Sequence, residues 1–190
     1  MTNYTEYHEY LLKRSFLGKI YRNLLLYPKL IKYCSGRVLD VGCGIGDFLT
    51  FCDGRIDAHG VDINENNVKF CQQKGFKSAV INNGIIPFEN GFFETIILDN
   101  VIEHIDEPSQ LLSEFERITA KGATVIVGVP CLKGFNSDPD HKVFYRWENL
   151  VEVFVSFGFS PVNSFYMPVN TPVLGKILRQ HALYVIFERN

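Results

Sequence analysis

Three glycines at alternate positions, Gly42, Gly44 and Gly46, separate the apolar run at Val38–Val41 from a second apolar run that starts at Phe48. Glycines so spaced serve a backbone that must take positive φ, or one that a ligand approaches without meeting a Cβ. The pattern predicts a buried strand, a tight turn and a helix start, with a nucleotide-sized ligand over the carboxyl end of the strand. The spacing is G-x-G-x-G, whereas a dinucleotide fingerprint reads G-x-G-x-x-G, and Asp47 stands where its last glycine would be. Asp40 opens the turn. Two carboxylates beside it repel a pyrophosphate and favour a ligand with cationic groups. No G-K-[ST] follows, which excludes a phosphate loop.

A further acid, Asp62, ends the run Ala58 to Asp62 and is followed by Ile63. It falls about 20 residues after the first strand, where a carboxylate accepts ribose hydroxyls. S-adenosylmethionine, a nucleoside with an ammonium and a sulfonium, suits this set of acids and glycines. The richest polar run is Asp99, Asn100, Val101, Ile102, Glu103 and His104. Its histidine has an ordinary pKa near neutrality and is either a general base for a hydroxyl acceptor or a cap that holds the turn before Pro108.

The elements that must position these groups alternate from Arg37 onward, as in a doubly wound sheet. Strands are expected at 37–42, 57–62, 78–81, 95–100 and 123–129, and helices at 47–52, 65–74, 108–119 and 147–157. Two apolar stretches, 159–167 and 183–188, close the chain, with 171–181 between them. Ahead of this unit, residues 1–36 are expected to form a helical cap on the domain at 37–190. Leu11, Leu12, Phe16, Ile20, Leu24, Leu25 and Leu26 recur there near helical spacing, and Gly18 and Pro28 are its expected interruptions. Residues 10–36 carry Lys13, Arg14, Lys19, Arg22, Lys29 and Lys32 and no acid. That is a solvated basic face, or one that recruits an anionic substrate or a membrane surface.

The chain resembles the class I S-adenosylmethionine-dependent methyltransferases. The likeness rests on VLDVGCGIGDFL (38–49), GVDIN (60–64), IPFENGFFETIILDNVIEHIDEP (86–108), LLSEFERI (111–118), KGATVIVGVP (121–130) and FGF (157–159). The resemblance implies an α/β, Rossmann-like fold: a seven-stranded sheet of order 3-2-1-4-5-7-6 with the last strand antiparallel. It implies S-adenosylmethionine as cofactor and S-adenosylhomocysteine as product, held by Asp40, Gly42, Gly44, Gly46, Asp62 and Ile63. Aligning on Pro87-Phe88 puts Asn82 where the family usually has an acid for the adenine amino group. The backbone N–H of Asn83 is expected on the ring, and Asn100 on the methionine end. The segment 138–146 looks like one that such enzymes place over the acceptor, making His141, Tyr145 and Arg146 acceptor contacts, while Trp147 is expected to anchor the next helix in the core. Residues 171–181 are expected as a helical insertion in the last hairpin, packed on the sheet edge or serving as a lid or lipid-facing patch.

The catalytic candidates are thus His104 and His141, for O-methylation of a small molecule, sugar or lipid-linked acceptor, with no metal among the expected ligands. N-x-x-E-H with a distant histidine is also similar to the E-x-x-E-H plus histidine set of metal-dependent RNA 2′-O-methyltransferases and some ubiquinone-pathway enzymes, although Asn100 replaces their first glutamate. The alternatives are therefore metal-assisted methylation of an RNA terminus, or a non-catalytic subunit that binds a partner protein.

A net charge of −2 gives no whole-chain drive toward nucleic acid. The five cysteines, Cys34, Cys43, Cys52, Cys71 and Cys131, form no C-x-x-C pair, which points to reduced thiols. With no apolar run of membrane-span length and a polar start in place of a leader, the chain is expected to be cytoplasmic, peripheral membrane contact aside. The 190 residues suit one domain, and the oligomeric state stays open.

Overall fold

The structure, a computed structural model, describes Leu11 and residues 16–190. Leu12, Lys13 and Arg14 of the expected cap lie outside the described residues. Seven strands form one sheet among the described residues: β1 (Val38–Val41), β2 (Ala58–Asp62), β3 (Lys77–Val80), β4 (Phe93–Asp99), β5 (Thr119–Pro130), β6 (Phe159–Met167) and β7 (Ala182–Arg189). Their order is β3-β2-β1-β4-β5-β7-β6. Strands β1 to β5 pair in parallel, and β7 runs antiparallel to both of its neighbours. The expected architecture is present.

β1 is buried along its whole length because it sits between two parallel neighbours with both faces covered. Side chains alternate across a strand, so Leu39 and Val41 enter one core with Ile96 and Leu98, while Val38 enters a second with Ile97 and Ile126. Helices cover both faces. α3 (Asp47–Cys52) follows the glycine turn directly, and α4 (Glu65–Gln73) is capped by Asn64, whose side chain accepts the Asn66 N–H at 3.0 Å. α5 (Ser109–Ile118) buries Leu112, Phe115 and Ile118 along one stripe. The N-terminal segments, α1 (Phe16–Tyr21), a π-helical stretch at Arg22–Leu26 and α2 (Tyr27–Leu30), bury Leu26, Tyr27 and Leu30 in the same core as Val38.

β4, β5 and β7 run longer than patterning predicts, where tertiary pairing extends them. β5 begins at Thr119, four residues early, because Thr119 pairs with Phe93 across a register shift in β4. A short helix that spacing did not indicate, α6 (Leu132–Phe135), follows β5, and α7 is Trp147–Val155. Residues 171–181 contain a single 3-10 segment, Pro172–Lys176, in place of a helix. The loop is pinned beside the end of β5, since a Cβ on Gly175 would lie 2.7 Å from the Cys131 Cβ. Val173 and Ile177 stay 70% and 67% exposed, so neither packs on the sheet edge. Tyr145 and Trp147 exchange their expected places: Tyr145 is buried in the core and Trp147 is 41% exposed. Among the described residues no helix is long and apolar enough to cross a membrane.

Candidate active site

The carboxyl ends of β1, β2 and β4 open into a cavity of about 660 Å³ bordered by Asp40, Gly42, Gly44, Asp62, Ile63, Asn100 and His104. Most of the candidate residues thus meet at one place, outside the strand ends of an open sheet.

The glycine turn is held by the strand beside it. Gly42 and Cys43 both donate to the Val61 carbonyl, at 2.8 and 3.0 Å, and Gly44 donates to Asp62 Oδ2 at 2.8 Å. All three glycines take positive φ. At Gly42 (φ +75°) the requirement is double, since a Cβ would lie 2.5 Å from Val101 Cγ2. Gly46 also takes positive φ but caps α3 instead of bordering the cavity.

Asp62 organises more than the nucleoside contact that spacing suggests. Its Oδ1 accepts the Asn64 N–H at 2.8 Å, and its Oδ2 accepts from Gly44 and from Asn67 Nδ2 at 3.2 Å. One carboxylate therefore ties the turn after β1 to the start of α4. Burial raises its pKa, and these hydrogen bonds oppose that rise. Asp40 is also buried at the cavity wall; burial first, and the charge of Asp99 second, push its carboxyl well above the usual range.

Asn82 and Asn83 stand in a two-residue hairpin. Asn82 and Ile85 bridge, while Asn83 and Gly84 both take positive φ, as a type I′ turn demands. Both asparagines are exposed and neither borders the cavity, whereas Ile81 and Gly84 on either side do. Gln110 Nε2 donates to the Asn83 carbonyl at 2.8 Å and holds the turn against α5. Asn100 has φ +56°, borders the cavity and donates from Nδ2 to Asp99 Oδ1 at 2.8 Å.

The loop after β4 is stitched to the segment after α6. The Glu103 carbonyl accepts from Lys142 and Val143 at 2.8 and 3.1 Å, which brings the His104 and His141 rings to 4.7 Å between centroids. His104 Nδ1 lies 3.2 Å from the Asp140 carbonyl oxygen, and His141 Nδ1 lies 2.8 Å from that of Phe135. A carbonyl only accepts, so each Nδ1 carries the proton and each Nε2 keeps its lone pair in the neutral ring. His104 borders the cavity, and burial lowers its pKa; His141 stands behind it. Glu103 is fully buried with neither carboxylate oxygen hydrogen-bonded, and burial pushes its pKa up to about 8. Glu103, His104 and His141 bring ligand atoms within 4.8 Å of one another.

Arg22 belongs to the basic stretch expected either as a solvated face or as one that recruits an anion or a membrane surface, and it is ion-paired. Its Nη1 meets Asp99 Oδ2 at 2.7 Å, and the residue borders the cavity. Seventy-seven residues separate the two partners, so no local pattern could have joined them.

Residues 39–127 match the family model described as "Methyltransferase domain". The chain is 30% identical to ajmaline N-methyltransferase of Rauvolfia serpentina over 100 residues, covering 47% of this chain and 34% of that protein. It is 28% identical to an uncharacterised protein of Methanocaldococcus jannaschii over 94 residues, covering 50% and 44%. The matched regions thus span less than half the length of these curated relatives. In fold it is similar to an S-adenosylmethionine-dependent methyltransferase of Archaeoglobus fulgidus (TM-score 0.70, 22% identity, 91% of this chain and 93% of that one). It is also similar to a possible histamine N-methyltransferase of Thermotoga maritima (TM-score 0.76, 18% identity, all of both chains).

Proposed function

We propose, from the premise that this chain carries a class I S-adenosylmethionine-dependent methyltransferase domain, that it methylates a hydroxyl of a small-molecule, sugar or lipid-linked acceptor. The observation that carries this is His104, which borders the same cavity as Asp40 and Asp62 and keeps Nε2 as its lone-pair nitrogen.

The residues fit the cofactor. The cavity is nucleoside-sized, its turn is glycine-lined, and its walls carry the carboxylates of Asp40, Asp62 and Asp99, which suit ribose hydroxyls and an ammonium. When bound, S-adenosylmethionine supplies a methyl group on a sulfonium, open to in-line displacement. The chain's own part is to hold donor and acceptor in line and to take a proton. Asp62 and the backbone at Gly42 and Gly44 would hold the nucleoside, with Ile63 beside it and the hairpin at Asn82 and Asn83 at the adenine end. Asn100 and Asp40 would hold the amino-acid end. His104 Nε2 would receive the acceptor proton, and the Asp140 carbonyl keeps the ring in the tautomer that can do so. His141, whose ring lies 4.7 Å behind that of His104, would hold the His104 ring in place.

A lipid-linked acceptor and peripheral membrane contact draw support from exposed apolar side chains at Leu24, Val173 and Ile177, in stretches of the chain that hold lysines and no acid. A second reading, metal-assisted transfer, is favoured by one observation: the fully buried Glu103 carboxylate makes no hydrogen bond, lies 3.8 Å from His141 Nε2 and brings a ligand atom within 4.8 Å of those of His104 and His141. A divalent cation there would lower the pKa of an acceptor hydroxyl.

Calorimetric titration with S-adenosylhomocysteine, with and without Mg²⁺ or Mn²⁺ and with NAD as control, tests the cofactor first. Micromolar binding that NAD does not mimic supports the proposal; absence of binding at millimolar ligand ends it. Mass spectrometry of a panel of hydroxyl and amine acceptors then separates the alternatives, since N-methylated products would replace the hydroxyl reading and cation-dependent turnover would favour the second.

A further inference from the structure

The amino-acid end of the cavity carries a feature that the glycine turn and its acids do not require. Arg22, from the π-helical stretch ahead of the sheet, borders the cavity beside Asp40 and Asp99, so this wall holds one guanidinium among two carboxylates. The guanidinium is fixed from two sides, by Asp99 Oδ2 at 2.7 Å and by a side-chain hydrogen bond with Tyr27. Asp99 is fixed in turn, because its Oδ1 accepts from Tyr184 at 2.7 Å and from Asn100 at 2.8 Å. Tyr27 and Tyr184 are both buried in the core beneath. The network is therefore rigid, and it reaches the ligand space.

Two carboxylates alone would suit an ammonium. A fixed guanidinium beside them suits a ligand that carries both charges, a zwitterionic amino acid. Arginine has five N–H donors, more than Asp99 and Tyr27 take, and its fork matches a carboxylate. We propose that Arg22 binds the α-carboxylate of the methyl donor's amino-acid end and makes the cavity select an intact amino acid over truncated nucleosides. This rests on the cofactor reading above.

The experiment compares three ligands by calorimetry on the full chain. They are S-adenosylhomocysteine, its carboxylate-free analogue S-adenosyl-3-thiopropylamine, and 5′-methylthioadenosine, which lacks the amino acid. The native protein is expected to prefer S-adenosylhomocysteine over the carboxylate-free analogue by about tenfold or more, the worth of a charge-assisted pair. In Arg22→Gln that preference should shrink to within about twofold while 5′-methylthioadenosine affinity holds, and Arg22→Lys should keep part of the preference. Thermal melting of each variant reports folding; if Arg22→Gln does not fold, the same ratio measured on Arg22→Lys decides. An unchanged preference, or an equal loss for all three ligands, would overturn the inference and leave Arg22 as a tie between the N-terminal helices and the sheet. A native protein that binds none of the three would end the cofactor reading itself, and this inference with it.

Discussion

The nucleoside half of the cavity and the loop behind His104 handle buried charge in opposite ways. Both oxygens of Asp62 meet hydrogen-bond donors, and those donors belong to the turn and helix start that the ligand would touch. Around Glu103 the carboxylate is as deeply buried, yet both oxygens lack hydrogen bonds, and the nearest cationic candidate, His141 Nε2, stands 3.8 Å away. A buried polar group without partners costs stability, and such groups concentrate where function requires them. Asp62 is satisfied by donors from the turn and helix start, whereas Glu103 is buried without a hydrogen bond.

The largest expected break in this comparison is Asp62→Ala. It strands the N–H groups of Gly44 and Asn64 and the Asn67 amide, so the fold should lose about 3 kcal/mol or more in denaturant titration. S-adenosylhomocysteine affinity should fall at least a hundredfold in the folded fraction; unchanged affinity would remove Asp62 from the site. Gly42→Ala acts on the same half by sterics, since its Cβ would strike Val101. Adding Val101→Ala should restore part of the lost stability but not the part due to positive φ, and full restoration in a double-mutant cycle would refute the backbone requirement.

On the other half, His104→Ala should lower kcat about 10²- to 10³-fold while S-adenosylhomocysteine affinity stays within about twofold. Equal loss of both would return His104 to a loop-holding role. Glu103→Gln should be the gentler change, visible in pH dependence. The folded carboxyl titrates near 8 against an ordinary value of 4.5, so the native state holds the proton more tightly. Its stabilising contribution is complete below about pH 4.5 and is lost as pH rises toward 8. Glu103→Gln should therefore flatten the fall in Tm across that window and melt above the native protein at pH 8; a parallel fall in both would refute the buried neutral acid. Smallest of all, Val173→Ser with Ile177→Ser should leave Tm within about 1 °C, because neither side chain is packed.

Much of the nucleoside half was legible along the chain because its information is local. The run from Val38 to Phe48 writes a strand, a turn and a helix in adjacent residues, and the strand order follows from the family likeness carried by several such runs. The acceptor half was harder. His104 and His141 both stand out in the sequence, but their approach to 4.7 Å depends on backbone bonds between Glu103 and residues 142–143. Tyr145 and Trp147 are large aromatics on either side of Arg146, and only the fold shows that Tyr145 is buried while Trp147, at the start of α7, stays exposed. Asn83-Gly84 is itself a hairpin-turn signature, and the turn it forms holds the side chains of Asn82 and Asn83 off the cavity wall.

By itself the sequence determined the alternation of strands and helices, the conformation of the glycine turn and the acids at its ends, since each depends on backbone sterics and periodicity within a few residues. Only the tertiary structure decided that Arg22 pairs with Asp99, that Glu103 is sealed without a hydrogen bond and that the 171–181 loop holds a single 3-10 segment. Those outcomes turn on desolvation and on contacts between segments far apart in the chain, where a charge is stable only if a distant partner arrives to meet it.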